Sequence, residues 1–328
     1  MDAKSITDIF SGISNVFPDF APGLLPTWGK LALFGIPLCL YLATAMLPFI
    51  VFYGLIKGHY GRRSLFERCS RQLGRFITLL NWIFLICVCA SFGYFEFTQQ
   101  ASGLLHPILR FGLYAGGGCL LAGAVLWTAV MTGWKGLRGM PVLHGILIFL
   151  AGSCLAALPV ISLLLGRVYF QAITLSEPLD FQTLVDLFIP SASDPFWLSV
   201  LLLHGLEVAA AGGVGLFWLL LRRRIDDYGR DYYVFAAKWC GEWAAWGGWM
   251  TLLLLAGIQG AVLFRGDWVL RDGSTLFFML CLFIPLLLAS VIWTAIARSA
   301  LPMRHKVGMV FALVLLLVSA ASGGILLL

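Results

Sequence analysis

The chain reads as an all-α integral membrane protein, a polytopic bundle of about eight transmembrane helices, and three observations carry that expectation. Hydrophobic residues make up 60% of it and charged residues 12%, whereas soluble domains run near 25% charged; mean hydropathy is +0.93. The apolar residues gather in runs of roughly 20, the length that crosses a bilayer core as helix. The segments between the runs alternate in charge, as loops on opposite sides of a membrane do.

Apolar runs and their breakers place spans at 30–56, 76–97, 109–133, 141–166, 196–221, 238–264, 275–297 and 307–327. The connecting segments 57–75, 134–140, 222–238 and 298–306 hold 16 of the 22 Lys and Arg residues. The N-terminal segment and the loops near 98–110, 167–195 and 265–274 hold the other six, with nine of the 16 acidic residues. Basic loops stay in the cytoplasm, so both termini are expected outside, in a bacterial cytoplasmic membrane. The organisation is then an outer N-terminal segment (1–29), helices 1–4 (30–166), an outer loop (167–195) and helices 5–8 (196–328). Short amphipathic surface helices are expected at 5–17 and 180–188. Trp28, Trp134, Trp197, Trp218, Trp239, Trp268 and Trp293 fall at span ends, where an aromatic belt belongs.

Several function classes drop out. The first 28 residues carry three aspartates and three prolines and lack the pattern of a cleavable signal peptide. The net charge of +6 flanks spans instead of forming a stripe, which argues against nucleic acid as a partner. The eight cysteines include no Cys-x-x-Cys pair, so the signatures of structural zinc, thioredoxin-like chemistry and covalent haem are missing. So are a Walker A loop, a zincin motif, a Gly-x-Ser-x-Gly elbow and the arginine ladder of a voltage sensor. No segment is large enough for a soluble catalytic domain, so soluble catalysis would come from a partner. Pro159 and Pro285 interrupt spans 4 and 7, as some transporters require. An internal echo, Tyr-Gly-Arg at 60–62 and 228–230 inside basic loops of similar length, suggests a 4+4 parallel repeat.

Ionisable groups inside the membrane are expensive and mark functional sites. In LLLHGLEVAAAGG (201–213) His204 and Glu207 project from nearly one helix face. His204 lies about 12 Å below the outer surface and Glu207 near the midplane, at about 1.5 Å per residue. Such a pair suits proton relay, a quinol headgroup, or orientation of a metal or haem ligand. His144 lies about 5 Å inside the inner face, so it differs from His204 by roughly 13 Å in depth, too far for one flat porphyrin. Haem b would need other pairings: His144 with His59 or His305 at an inner site, and His204 with His106 at an outer one. Glu242 follows Lys238 by four residues, which suggests an interfacial ion pair. Trp243, Trp246 and Trp249 form a stripe in which Trp246 is a candidate for stacking on a cofactor ring, although a packing stripe reads equally well. The glycines of spans 3 and 5 leave room either for a flat ring or for close helix packing.

The segment PFWLSVLLLHGLEVAAAGGVGLFWLLLRRR (195–224) resembles the histidine-bearing spans of bacterial quinol-linked b-type cytochromes, as distant relatives of the large subunit of cytochrome bd. The chain has neither that family's glutamine-rich loop nor an axial methionine in a span. The resemblance therefore implies quinol oxidation or reduction, with electrons passed to a partner protein, and not oxygen reduction. The expectation is a membrane subunit of a respiratory electron-transfer complex that binds haem b, quinone or both. In it His204 is the key ligand, with His144 as a second metal-ligating histidine, and Glu207 is the proton-handling residue of a quinone-reactive subunit. Two other readings stand beside it: a transporter whose midplane site includes His204 and Glu207, and a non-catalytic membrane scaffold.

Overall fold

The computed structural model describes residues 27–61, 64–98, 105–174, 188–192, 194, 196–226, 228–264 and 273–327. Among them are eight long helices: α1 (Thr27–Tyr60), α2 (Ser64–Thr98), α3 (Leu105–Thr132), α4 (Pro141–Thr174), α5 (Phe196–Arg222), α6 (Arg230–Phe264), α7 (Gly273–Arg298) and α8 (Lys306–Leu327). Six carry stretches long and apolar enough to cross a membrane: Gly35–Tyr60, Ser64–Ser91, Tyr114–Thr132, Pro141–Val168, Phe196–Arg222 and Leu280–Arg298. The protein is a polytopic helical membrane bundle. α6 is not among the six; the described apolar part of α8 is the shorter Lys306–Ala320.

The helices run well past the expected spans. α1 has 34 residues, about 50 Å at 1.5 Å per residue, against a hydrocarbon core of about 30 Å. The basic segments 57–75 and 222–238, expected as loops, are mostly helix, because α2 begins at Ser64 and α6 at Arg230. Hydropathy marks only the part of a helix that lies in lipid. The first turns of α2 are amphipathic, with Cys69, Ser70, Gln72 and Leu73 buried and Arg68 and Arg75 exposed, and they continue the helix beyond the apolar run. The connections at 134–140 and 298–306 also contain helical turns, Trp134–Leu137 and Pro302–Arg304. The surface helix expected at 5–17, and that at 180–188 except for its last residue, lie outside the described residues.

Helix neighbours follow a simple order. α1 packs on α2, α2 on α3, α3 on α4, and α4 returns to α1; α5 to α8 repeat that ring. The two rings meet chiefly where α1 packs on α5, with α8 also against α1. α5 is the most enclosed of the six apolar stretches, 78% buried, and so sits at the centre of the molecule.

Matching contacts recur in the two rings. Trp82 of α2 donates Nε1–H to Thr128 Oγ1 of α3 at 3.1 Å, and Trp249 of α6 donates to Thr294 Oγ1 of α7 at 3.0 Å. Each threonine lies in a matching run, LWTAV (126–130) and IWTAI (292–296), whose tryptophan is fully buried. The Tyr-Gly-Arg echo, by contrast, serves two different geometries. Gly61 closes α1 through its N–H to Lys57 O at 3.0 Å, whereas Gly229 precedes α6 with φ +84°.

The aromatic belt holds only in part. Trp197 is exposed, but Trp134 and Trp293 are buried. Trp293 fills the volume left by the missing side chains of Gly213 and Gly248, so packing against helices takes it away from the lipid face. The glycines of α5 serve close helix approach. A Cβ on Gly212 would lie 2.2 Å from the Ala244 backbone nitrogen, and one on Gly205 would lie 2.4 Å from Thr251 Oγ1. At the basic end a polar network joins the rings. Tyr232 donates to Gln72 Oε1 at 2.5 Å and Gln72 Nε2 to Asp226 Oδ2 at 3.1 Å, while Arg222 grips both Asp226 oxygens at 2.9 and 3.0 Å. Tyr233 donates to the Asp226 carbonyl, and burial holds its phenol above the usual range, where it stays a donor.

Candidate functional site

Three residues separate His204 from Glu207, and the α5 helix places them side by side: Nδ1 lies 2.7 Å from Oε2. In the tautomer that donates from Nδ1 to the carboxylate, Nε2 is left as a free acceptor. The two side chains differ sharply in access. His204 is 35% exposed and Glu207 is 0% exposed. His204 continues the exposed stripe of Trp197 and Leu201, spaced three to four residues apart along the N-terminal half of α5. Glu207 lies behind it with Oε1 unpartnered among the described residues. The phenol of Tyr41 on α1 is within electrostatic reach of Glu207, and its hydroxyl lies 2.8 Å from Ser162 Oγ on α4. The pair therefore offers a surface-accessible proton acceptor backed by a buried carboxylate.

A second group assembles at the basic end. His59, Ser64, Glu67, Arg138, Pro141 and His144 line a cavity of about 280 Å³ between the end of α1, the start of α2 and the start of α4. His144 is 1% exposed, its ring meets Trp134 edge-on at 4.6 Å, and its Nε2 has no partner. Arg138 Nη2 donates to Glu67 Oε2 at 2.9 Å beside it.

The structure thus brings His59 and His144 to one cavity, one of the two inner pairings expected from sequence. His305 is exposed and its Nε2 lies 3.2 Å from Ser299 Oγ on the 298–306 connection, away from that cavity. The side chain of His106 lies outside the described set, so the pairing with His204 does too. Trp246 is 68% exposed on the bundle surface, in keeping with a lipid-facing stripe; its neighbour Trp243 packs on Tyr53 and Trp239. Glu242 is exposed and within electrostatic reach of Lys238.

Among the described residues no group of three or more His, Cys, Asp or Glu side chains is placed to hold a metal ion. The cavity that His59 and His144 share, about 280 Å³, falls below the roughly 300–1,000 Å³ of pockets that take drug-sized ligands. Residues outside the expected sites also stand out. Asn81 is 0% exposed, with neither amide atom partnered. Gln72 ties the rings together. A lone amide in an apolar run gives no spacing signal that would single it out.

No protein-family model, no curated protein and no solved structure matches the chain.

Proposed function

We propose that the chain is the quinone-reactive membrane subunit of an electron-transfer complex in a bacterial cytoplasmic membrane, with His204 and Glu207 taking up protons from a quinol. The observation that supports this most is the step in exposure within the pair, from a partly exposed imidazole to a fully buried carboxylate. A quinol is lipid-soluble and reaches His204 laterally, along the apolar stripe of Trp197 and Leu201. Its oxidation releases two electrons and two protons. One hydroxyl proton passes to His204 Nε2 while the Nδ1 proton moves to Glu207, the second hydroxyl proton is released to water, and both electrons leave for a redox centre on a partner subunit. No step in this scheme is routed through haem bound at His59 and His144.

We also infer eight spans, both termini on the non-cytoplasmic side, and a 4+4 parallel repeat. Supporting this are the charge asymmetry of the connections, the two four-helix rings and the paired Trp–Thr contacts.

Quinol-dependent reduction of an electron acceptor by membranes containing the complex tests the reading. Glu207→Gln should lower kcat by about 100-fold, the scale of general acid–base catalysis, with KM little changed. A reduced-minus-oxidised visible spectrum of purified protein belongs beside it. A b-type α band lost in His204→Ala would make that ring a haem ligand and displace quinol from it. A second reading, a proton-coupled transporter, is favoured by one observation: Glu207 is buried on α5, the helix through which the two rings meet. Proton-coupled uptake by a colourless, quinone-indifferent protein would support it.

A further inference from the structure

The cavity at the basic end is absent from the quinol scheme, yet its lining is specific. Two helices begin there, α2 with Ser64 and α4 with Pro141. The first turn of α2 presents backbone N–H groups without intrahelical partners, whereas at α4 Pro141 has no N–H and the His144 N–H bonds to Met140 O at 2.9 Å; each helix adds the positive end of its dipole. Helix N-termini of this kind attract phosphate oxygens. The side chains that join them are mostly donors: the Ser64 hydroxyl, the guanidinium of Arg138, and the imidazoles of His59 and His144. Arg138 has five N–H donors, of which Nη2 goes to Glu67, and its side chain is 71% exposed and free to turn. The independent sign of a ligand is His144. It is 1% exposed while its Nε2 has no partner among the described residues, and burying such a nitrogen without a partner is costly.

Glu67 is the one acid in the lining. Its charge is offset by Arg138, so an incoming anion meets a cavity in which donors outnumber acceptors. Size selects further: about 280 Å³ admits a headgroup and excludes a macrocycle. The position selects as well, because basic pockets between helices at a membrane face are where acidic lipid headgroups bind.

We propose that this cavity binds a phosphate group, carried by an anionic phospholipid whose acyl chains lie along the bundle, with Ser64, Arg138 and His144 as its donors. Arg138 exchanges part of its contact with Glu67 for the phosphate.

The test uses the purified full-length protein, delipidated in detergent, with thermal unfolding as the readout. Dioctanoyl phosphatidic acid should raise Tm in a saturable way, and dioctanoylglycerol, identical but for the phosphate, should not. Arg138→Gln should weaken apparent binding by about tenfold, as loss of a charge-assisted contact does. Glu67→Gln, which removes the competing acid, should strengthen it. Opposite effects from two partners of one ion pair separate a ligand site from a merely structural pair, whose two variants would act alike. Ser64→Ala, a milder change, should weaken binding by a smaller factor. Inorganic phosphate replacing the lipid at full effect would keep the phosphate site and assign it to a soluble compound, overturning the lipid source. Equal stabilisation by phosphatidic acid and dioctanoylglycerol, or of wild type and Arg138→Gln, would overturn the proposal.

Discussion

At Glu207 one carboxylate oxygen is held by His204 and the other has no partner among the described residues, in a position with no solvent exposure. A group kept for stability would not be left this way, because a buried carboxylate with one partner costs more than its contacts return. Glu207→Gln is therefore expected to leave Tm unchanged or slightly raised while quinol turnover collapses, and thermal unfolding measured beside activity checks both. A fall in Tm of many degrees would make Glu207 a structural residue. Asn81 gives the complementary case. Neither of its amide atoms is paired, so Asn81→Leu should stabilise the protein by about 1–3 kcal/mol, the cost of a buried unsatisfied group, as read by denaturant unfolding in detergent. The His204–Glu207 pair is legible in sequence because helical spacing alone sets it. The histidine pairings are less so: five histidines allow several combinations, and only the fold brings His59 to His144 and leaves His305 on an exposed turn. Asn81 escapes a sequence reading because an amide in an apolar run carries no periodic mark, and Gln72 because its segment reads as a basic loop.

The contact between α5 and α6 depends on glycine. A Cβ at Gly212 would meet the backbone of Ala244 at 2.2 Å, and one at Gly247 the backbone of Ala209 at 2.2 Å. Backbone atoms cannot rotate aside, so Gly212→Val should part the two helices and cost about 3 kcal/mol or more. Retention of the detergent-purified fold at wild-type Tm would contradict this packing. Sequence leaves the α5 glycines open between room for a ring and helix contact, and the structure assigns Gly205, Gly212 and Gly213 to contact with Thr251, Ala244 and Trp293. Helix ends are the least legible feature. The apolar runs of α2 and α6 mark where lipid begins, while their amphipathic first turns extend the helix through segments rich in arginine and lysine.

Across the whole molecule, fold class follows from apolar length and charge alternation, both of which sequence displays directly. The ring order does not, since nothing in a hydropathy pattern says that α4 returns to α1 or that α1 meets α5. The LWTAV and IWTAI runs are visible signals of the proposed repeat, and they are more telling than Tyr-Gly-Arg because the threonines of both accept from a tryptophan of the preceding helix. Orientation is open to a simple test in a cysteine-free background. A membrane-impermeant maleimide added to intact cells should label Ala192→Cys and spare Gly139→Cys, both exposed positions at opposite ends of the bundle. The reverse pattern would invert the topology and place the basic connections outside.

The claim at the centre of this account is that a quinol reaches His204 from the lipid side. Its most direct test is photolabelling of the protein in native membranes with an azidoquinone, followed by peptide mapping. The account predicts label on the outer half of α5 around Trp197, Leu201 and His204, competed away by unlabelled quinone and lost in His204→Ala. Label confined to other helices, or undiminished in His204→Ala, would contradict it.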